Sequence, residues 1–364
     1  MRVPARGADW GEGSDSGWKE EKPGRARPIA VGLVALVAVA ALLYTLPNLP
    51  GVLGGLSQFL SGFTSPAGPS LNYSVYSPII QGGSANISYP PHYDALASYA
   101  LSLINQDRAN FSAAPVALAR DGVAQQHADS MLRFDYFSHY DTQGYKPYMR
   151  YTLLGGRAAV QENIAYVAGD RFSSVSDLEG GIKTLEHLMM YEDQACCNNG
   201  HKLNIINALH NFVSVGVAYN GTTLYFDEEF ENVYANMTFT VSSQYAVTMA
   251  GTLTGQLNAP AEAIVTYDST PQPETRQQLN NGPREYDPGT VIGGVMPPCA
   301  FGCPVFSSGV TVYAGSWQFS SGRIDVEFSL HDFVAQNGPG VYTIYIVTGA
   351  DTSTAITTLS VFVT

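Results

Sequence analysis

Four polar residues interrupt segments that are otherwise apolar or small: His127 in Gln126-His127-Ala128-Asp129, His139 in Tyr136-Phe137-Ser138-His139, Glu162 in Gln161-Glu162-Asn163-Ile164-Ala165, and His201 in Gly200-His201-Lys202-Leu203. Glu192 joins them by helical geometry. It lies seven residues after Leu185 and three after Met189, which puts it on the face of the apolar stripe. A carboxylate aimed at a core is costly unless it is paired or lines a wet cleft. His187 falls on the opposite side of that helix and is expected to face solvent, and His210, beside Asn211-Phe212, is expected in a loop. No His-Glu-x-x-His pair, Gly-x-Ser-x-Gly elbow, phosphate loop or dinucleotide fingerprint occurs in the chain.

The elements that must position these groups follow from periodicity. Leu96, Tyr99, Ala100, Leu103 and Ile104 form one face of a helix starting near Tyr93. A second helix is predicted from Asp121, as N-cap, to Phe134, with Ala124, Ala128 and Met131 inward. A third is predicted from Asp177 to Glu192 on the stripe Leu178, Ile182, Leu185 and Met189. Strands are predicted over Val213 to Tyr219 and Thr223 to Phe230, so this part reads as α+β. Beyond residue 240 helix signals vanish. Val/Thr/Tyr/Ile-rich runs recur at 245–254, 263–267, 309–313, 323–330, 341–347 and 355–363, the pattern of an all-β immunoglobulin-like sandwich of the seven-strand class. Thr270 to Pro298, rich in Pro, Gln and Asn, reads as a long loop.

The front of the chain bears on location. Residues 1–27 read as a solvated tail. Ile29 to Leu46 then runs 18 residues without a charge, about 27 Å as a helix against a bilayer core of about 30 Å. Arg25 and Arg27 precede this run and no Lys or Arg follows until Arg108, so a single-pass cell-membrane anchor over 28–47 would leave the tail inside and the rest outside. A cleaved signal peptide, giving a secreted protein, is the alternative. Residues 48–90 carry no charge and read as a stalk, followed by folded regions over 91–236 and 240–364. Asn72, Asn86, Asn110, Asn220 and Asn236 head glycosylation triplets, which suits an exported chain. Cys196, Cys197, Cys299 and Cys303 are disulfide candidates whose pairing the sequence leaves open among three possibilities. A net charge of −13 repels phosphate backbones, so nucleic acid is excluded as a partner.

Six pieces, in order, carry a family resemblance: Leu103-Ile104-Asn105-Gln106-Asp107-Arg108; His127-Ala128-Asp129-Ser130-Met131; Tyr136-Phe137-Ser138-His139 with Asp141 and Gly144; Glu162-Asn163-Ile164-Ala165; Gly200-His201 with Asn204-Ile205-Ile206; and Val215-Gly216-Val217-Ala218-Tyr219. Tyr93 to Phe230 resembles a CAP domain, the superfamily of cysteine-rich secretory, antigen 5 and pathogenesis-related proteins, called SCP-like in prokaryotes. The resemblance implies an α-β-α sandwich with a cleft of two histidines and acidic residues, here His139, Glu162 and His201 with Glu192 fourth. It also implies that His139 and His201 could ligate zinc or another divalent cation, with Glu162 as candidate base. His127, Asn163 and Asn204 are assigned supporting roles, His127 as a core histidine and the amides as cross-links between loops. The chain departs from the family in having Met189 where a Trp is usual, in the Cys196-Cys197-Asn198-Asn199 insertion, and in its acidic strand Tyr225 to Phe230. The function expected is an extracellular binding module for a lipid, peptide or glycan, the alternatives being a metal-dependent hydrolase acting on peptide bonds or a structural envelope component.

Overall fold

Leu96, Ala100 and Ile104 are fully buried along one side of a helix, and that stripe fixes how the first lobe is assembled. In the computed structural model, residues 71, 73–76, 87–254, 259–348 and 355–364 are described. The expected tail, anchor and most of the expected stalk, with Asn72 and Asn86, lie outside them; no helix among the described residues is long and apolar enough to cross a membrane.

After a short strand β1 (Val75–Tyr76), the first lobe runs α1 (Tyr93–Asn110), β2 (Ala117–Leu118), α2 (Val123–Phe134), α3 (Pro147–Leu153), β3 (Ala159–Ala168), α4 (Val175–Tyr191), α5 (Gln194–Cys197), α6 (Gly200–Ile205), β4 (Phe212–Tyr219) and β5 (Thr223–Asn232). Helix α2 starts two residues after the expected Asp121, because Gly122 turns into the left-handed region at φ 73 while Asp121 Oδ1 accepts the Val123 N–H at 3.1 Å. Helix α4 is capped by Ser174 and Asp177 in a reciprocal capping box and ends at Tyr191.

The strands form a sheet in the order β2-β4-β5-β3, with β3 antiparallel to β5 at its edge. One face carries Val213, Val215 and Val217 of β4 with Phe226 and Phe230 of β5, packed against Leu96 and Ile104 of α1 and Ile182 and Leu185 of α4. The other face is covered by α2, which comes so close that any side chain at Gly216 would collide with the Ala124 carbonyl. This face is acidic. Glu162 stands opposite Glu229 and Ile164 opposite Asp227, so Glu162, Asp227, Glu229 and Glu231 all point the same way.

The second lobe comprises β6 (Ala235–Val241), β7 (Ala246–Leu253), β8 (Pro260–Asp268), α7 (Arg276–Asn281), β9 (Thr290–Met296), β10 (Val310–Tyr313), β11 (Ser316–Ser320), β12 (Arg323–Ser329), α8 (His331–Asn337), β13 (Gly340–Thr348) and β14 (Ala355–Val363). A six-stranded sheet β1-β14-β13-β8-β9-β10 packs on a four-stranded sheet β11-β12-β7-β6 around Val247, Met249, Ile324 and Val326 on one side and Val265, Ile344, Ile346 and Leu359 on the other. The expected runs are strands. The seven-strand reading missed β1, β6, β9 and β11, and it missed two short helices, α7 and α8, in the region where helix signals vanish. The lobes are joined directly, since Ser360 N–H donates to Thr152 Oγ1 at 3.1 Å and Thr358 N–H to the Arg157 carbonyl at 3.0 Å.

Thr270–Pro298 is not an open loop. It contains α7 and β9, and its first part straps the first lobe. Glu274 N–H donates to the Thr142 carbonyl at 3.0 Å, Phe137 N–H to Asn280 Oδ1 at 2.8 Å and Arg284 to the Phe137 carbonyl at 2.7 Å. Leu279 is buried with Met131 and Tyr136. Gly144, at φ 78, is required because a Cβ there would strike the Gln272 backbone.

Candidate functional site

Glu162 sits on edge strand β3 with its side chain 0% exposed. Its Oε1 is 2.8 Å from His139 Nδ1, while Oε2 pairs with the Arg150 guanidinium and lies 3.0 Å from His127 Nδ1. Arg150 reaches the site from α3. It also donates to the carbonyls of His139 at 2.7 Å and Tyr145 at 3.0 Å, which pins the loop that presents His139. Asp227 Oδ2 completes the group at 3.0 Å from His127 Nδ1. From the strap, Tyr286 lies 5.0 Å from the His139 ring, centroid to centroid, and its hydroxyl accepts the Glu162 N–H at 2.9 Å.

The electrostatics follow from burial. Burial alone would raise the Glu162 carboxyl, but Arg150 and His127 outweigh it and hold Glu162 well below the usual range. Asp227 and Glu229 go the other way: burial, and then repulsion from the ionised Glu162, push both well above their usual values. Burial and Arg150 lower His127, which is therefore neutral. The hub holds one anion, one guanidinium and several protonated acids.

His139 and Glu162 are thus in contact, but His201 is held elsewhere. Glu162 and Asn163 are consecutive strand residues and face opposite sides of the sheet. Asn163 donates to the His201 carbonyl and to Glu228 Oε2, each at 3.2 Å, and accepts from Asn204 at 3.0 Å. The His201 ring pairs with Asp193, Nδ1 to Oδ1 at 2.6 Å, and the same carboxylate accepts the His201 and Lys202 N–H groups. His127 is buried in the core, and the amides tie strand to helix instead of loop to loop, Asn163 standing on β3 and Asn204 on α6. His210 lies in the loop between α6 and β4 and is buried there: Nε2 bonds Asn204 at 2.8 Å and Nδ1 bonds Asn232 at 2.7 Å, and burial lowers its pKa to about 4.

Glu192 does not join the site. The helix ends at Tyr191, so Glu192 leaves the apolar face as the C-cap; it is 63% exposed, 3.6 Å from the solvent-facing His187. The carboxyl of α4 that does enter the core is Glu186, four residues after Ile182 and three before Met189. Burial and then Glu228 raise it well above the usual range. Neither of its oxygens has a hydrogen-bond partner among the described residues.

Two groups of side chains among the described residues place three or more potential metal-ligand atoms within 4.8 Å of one another: His127/Glu162/Asp227 and Asp193/Cys196/Cys197/His201. Neither contains both His139 and His201, so the expectation of one ion between those histidines gives way to two separate imidazole–carboxylate pairs. The first group does not fit an added metal, because Arg150 Nη2 lies 3.1 Å from His127 Nδ1 and contacts Glu162 directly. An ion there would meet a guanidinium already neutralising the same oxygens. In the second group the cysteines are joined as Cys196–Cys197, and the remaining pair is Cys299–Cys303.

The chain is similar to an extracellular protein containing an SCP domain from Bacillus anthracis str. Ames, at 21% identity and a TM-score of 0.30, over 40% of this chain and 44% of that one. It is also similar to the CAP domain of enterococcal PrgA, at 12% identity and a TM-score of 0.29, over 38% of this chain and 60% of that one. Both are SCP/CAP-domain proteins. The match therefore spans less than two thirds of either structure. No protein-family model matches the chain, and no curated protein does.

Proposed function

We propose that this chain is an extracellular CAP-like binding module, held at the cell membrane by the apolar run 29–46, which takes a peptide or glycan. The observation that carries the choice of binder over hydrolase is the state of Glu162. Both carboxylate oxygens are engaged, by His139 on one side and by Arg150 and His127 on the other, and the strap covers the group. A general base needs a lone pair directed at a reacting proton. Glu162 is fully buried with hydrogen bonds on both oxygens, and it holds the loop that carries His139 and Tyr140.

Beside that loop is a hollow of about 320 Å³ lined by Tyr140, Lys146, Met149, Asp268, Gln272 and Glu274 among others. This is at the small end of the size range of ligand pockets. Its polar lining favours peptide or glycan over lipid: Lys146 is paired with Asp268 at 2.7 Å and Asp287 at 2.8 Å, and its ammonium stands 6.0 Å over the Tyr140 ring. The reading predicts that peptide and oligosaccharide arrays retain the detergent-solubilised protein. Tyr140→Ala and Glu274→Gln are each expected to weaken retention about tenfold. Retention unchanged in both variants, or cleaved products in the eluate, would overturn it.

A further inference from the structure

We propose that Asp193, Cys196, Cys197 and His201 form a redox-gated site for a borderline-soft divalent cation of the zinc class, closed while the two cysteines are bonded and opened by an external dithiol. The inference is independent of the binding hollow and uses none of its residues.

The four side chains come from one short stretch, folded back on itself by Asn198 and Asn199. Both asparagines adopt left-handed backbone, at φ 49 and 63, a conformation Asn tolerates better than most residues. The reversal brings His201 over α5. Each of the four residues then offers one ligand atom, and the four atoms lie within 4.8 Å of one another. A tetrahedral ion with bonds of about 2.0–2.3 Å needs its ligands about 3.3–3.8 Å apart. Cys196 Sγ and Asp193 Oδ1 already stand at that spacing, 3.5 Å apart, while the His201–Asp193 pair at 2.6 Å and the two bonded sulfurs must open to it.

Asp193 is the fixed member. Its side chain is 1% exposed and tied to the backbone of His201 and Lys202 and to the His201 ring, with Cys196 Sγ 3.5 Å from Oδ1. His201 is 16% exposed, Cys196 is exposed and Cys197 half-buried, so a dithiol and an ion both have access. The Cα atoms of the cysteines are 3.8 Å apart, and rotation about their Cα–Cβ bonds separates the sulfurs without moving the chain. The other cysteine pair, Cys299 and Cys303, has no such histidine and carboxylate among its described neighbours.

In the bonded state neither sulfur is a thiolate, and thiolate is the form that binds metal. A dithiol thiolate attacks one sulfur and the Cys196–Cys197 bond breaks, giving a mixed disulfide. The second dithiol sulfur then closes the dithiol's own disulfide and releases the protein. The two electrons come from the dithiol, and its two thiol hydrogens end on Cys196 and Cys197. When the ion binds, both thiols lose their protons to water. Two thiolates, one carboxylate and a neutral imidazole are a donor set suited to zinc.

The test titrates cadmium chloride into the full chain in detergent, before and after dithiothreitol treatment and anaerobic removal of the reductant. The readouts are bound metal and thiolate-to-cadmium charge-transfer absorption. One equivalent should bind to the reduced protein with the absorption band, and none to the oxidised protein. Cys299→Ser/Cys303→Ser should retain this behaviour, Cys196→Ser/Cys197→Ser should lose it, and His201→Ala should weaken it at least tenfold. Alkylating the reduced wild-type protein, whose fold is followed by circular dichroism, should abolish uptake as well and guards against a variant that fails to fold. The proposal falls if dithiothreitol releases no thiols from Cys196 and Cys197, if the reduced protein takes up no ion, or if uptake survives loss or alkylation of that pair.

Discussion

The two imidazole–carboxylate groups of the first lobe are built from the same residue types and differ in what surrounds them. Around Glu162, two histidines, a buried arginine and protonated acids fill all the space, and the strap seals it. Around Asp193, one carboxylate organises a turn that faces water beside a disulfide. The first group already contains its cation, the Arg150 guanidinium. The second has no such neighbour within its ligand set. A His/Glu cluster in a sequence therefore says little about metal until the nearest fixed positive charge is known.

Removing that charge is the largest way to break the comparison. Arg150→Met leaves Glu162 buried without its partner and frees the His139 loop, and should destabilise by about 3–5 kcal/mol. Asp193→Asn, which keeps a side chain in the turn, should cost about 1–2 kcal/mol. Urea unfolding of both variants decides it; equal losses would mean that the two groups are held alike. The strap can be tested at one atom. Tyr286→Phe orphans the buried Glu162 N–H and should cost about 1–3 kcal/mol. Arg276→Ala, at an exposed pair with Asp135 on the same strap, should cost no more than about 1 kcal/mol.

The contrast also has a pH signature. Asp227, Glu228, Glu229, Glu231 and Glu186 all have raised carboxyls, each first through burial. The folded state keeps protons that the unfolded chain sheds above about pH 4.3, so these groups destabilise the fold as pH rises from there toward their folded values. Glu162 is lowered, and its contribution is lost only as pH falls below the unfolded carboxylate value. His127 is lowered, and His210 is lowered to about 4, so the histidines cost stability as pH falls below about 6.5. Above about pH 6.5 the acids alone act, and stability should decline toward pH 9. Glu229→Gln, which needs no proton, should flatten the decline and stabilise by about 1–2 kcal/mol at pH 8. Unfolding midpoints from pH 6.5 to 9 check it, and a flat wild-type profile would contradict it.

How much of this was legible in the sequence depends on the range of the interaction. Three helices and most strands follow from local periodicity, while the grouping of His139 with Glu162 and His201 comes only through the family resemblance. Strand β3 was hidden because Glu162 and Asn163 are adjacent polar residues buried on opposite faces, which erases the period of two. The strap has no periodicity at all. Its Tyr286 meets Glu162 across 124 positions, a contact that only tertiary packing creates. Glu186 could have been found, since its spacings of four from Ile182 and three from Met189 lie within the stripe already drawn. His210 is fixed by two amides, Asn204 and Asn232, that no local rule connects to it.

The smallest effect tests the correction at the end of α4. A helical wheel places Glu192 over Leu185 and Met189, but a wheel holds only while the helix does. At Glu192 the backbone has turned to φ −120 and ψ 15, and the side chain swings out beside His187. An exposed pair of this kind contributes little, so Glu192→Ala should change stability by no more than about 0.5 kcal/mol and leave ligand retention unaltered. Glu186→Ala on the same helix removes a buried carboxyl from Glu228 and leaves a hole, and should be clearly more destabilising in the same urea titration. If instead Glu192→Ala were the costlier change, Glu192 and not Glu186 would be the inward-facing acid of α4.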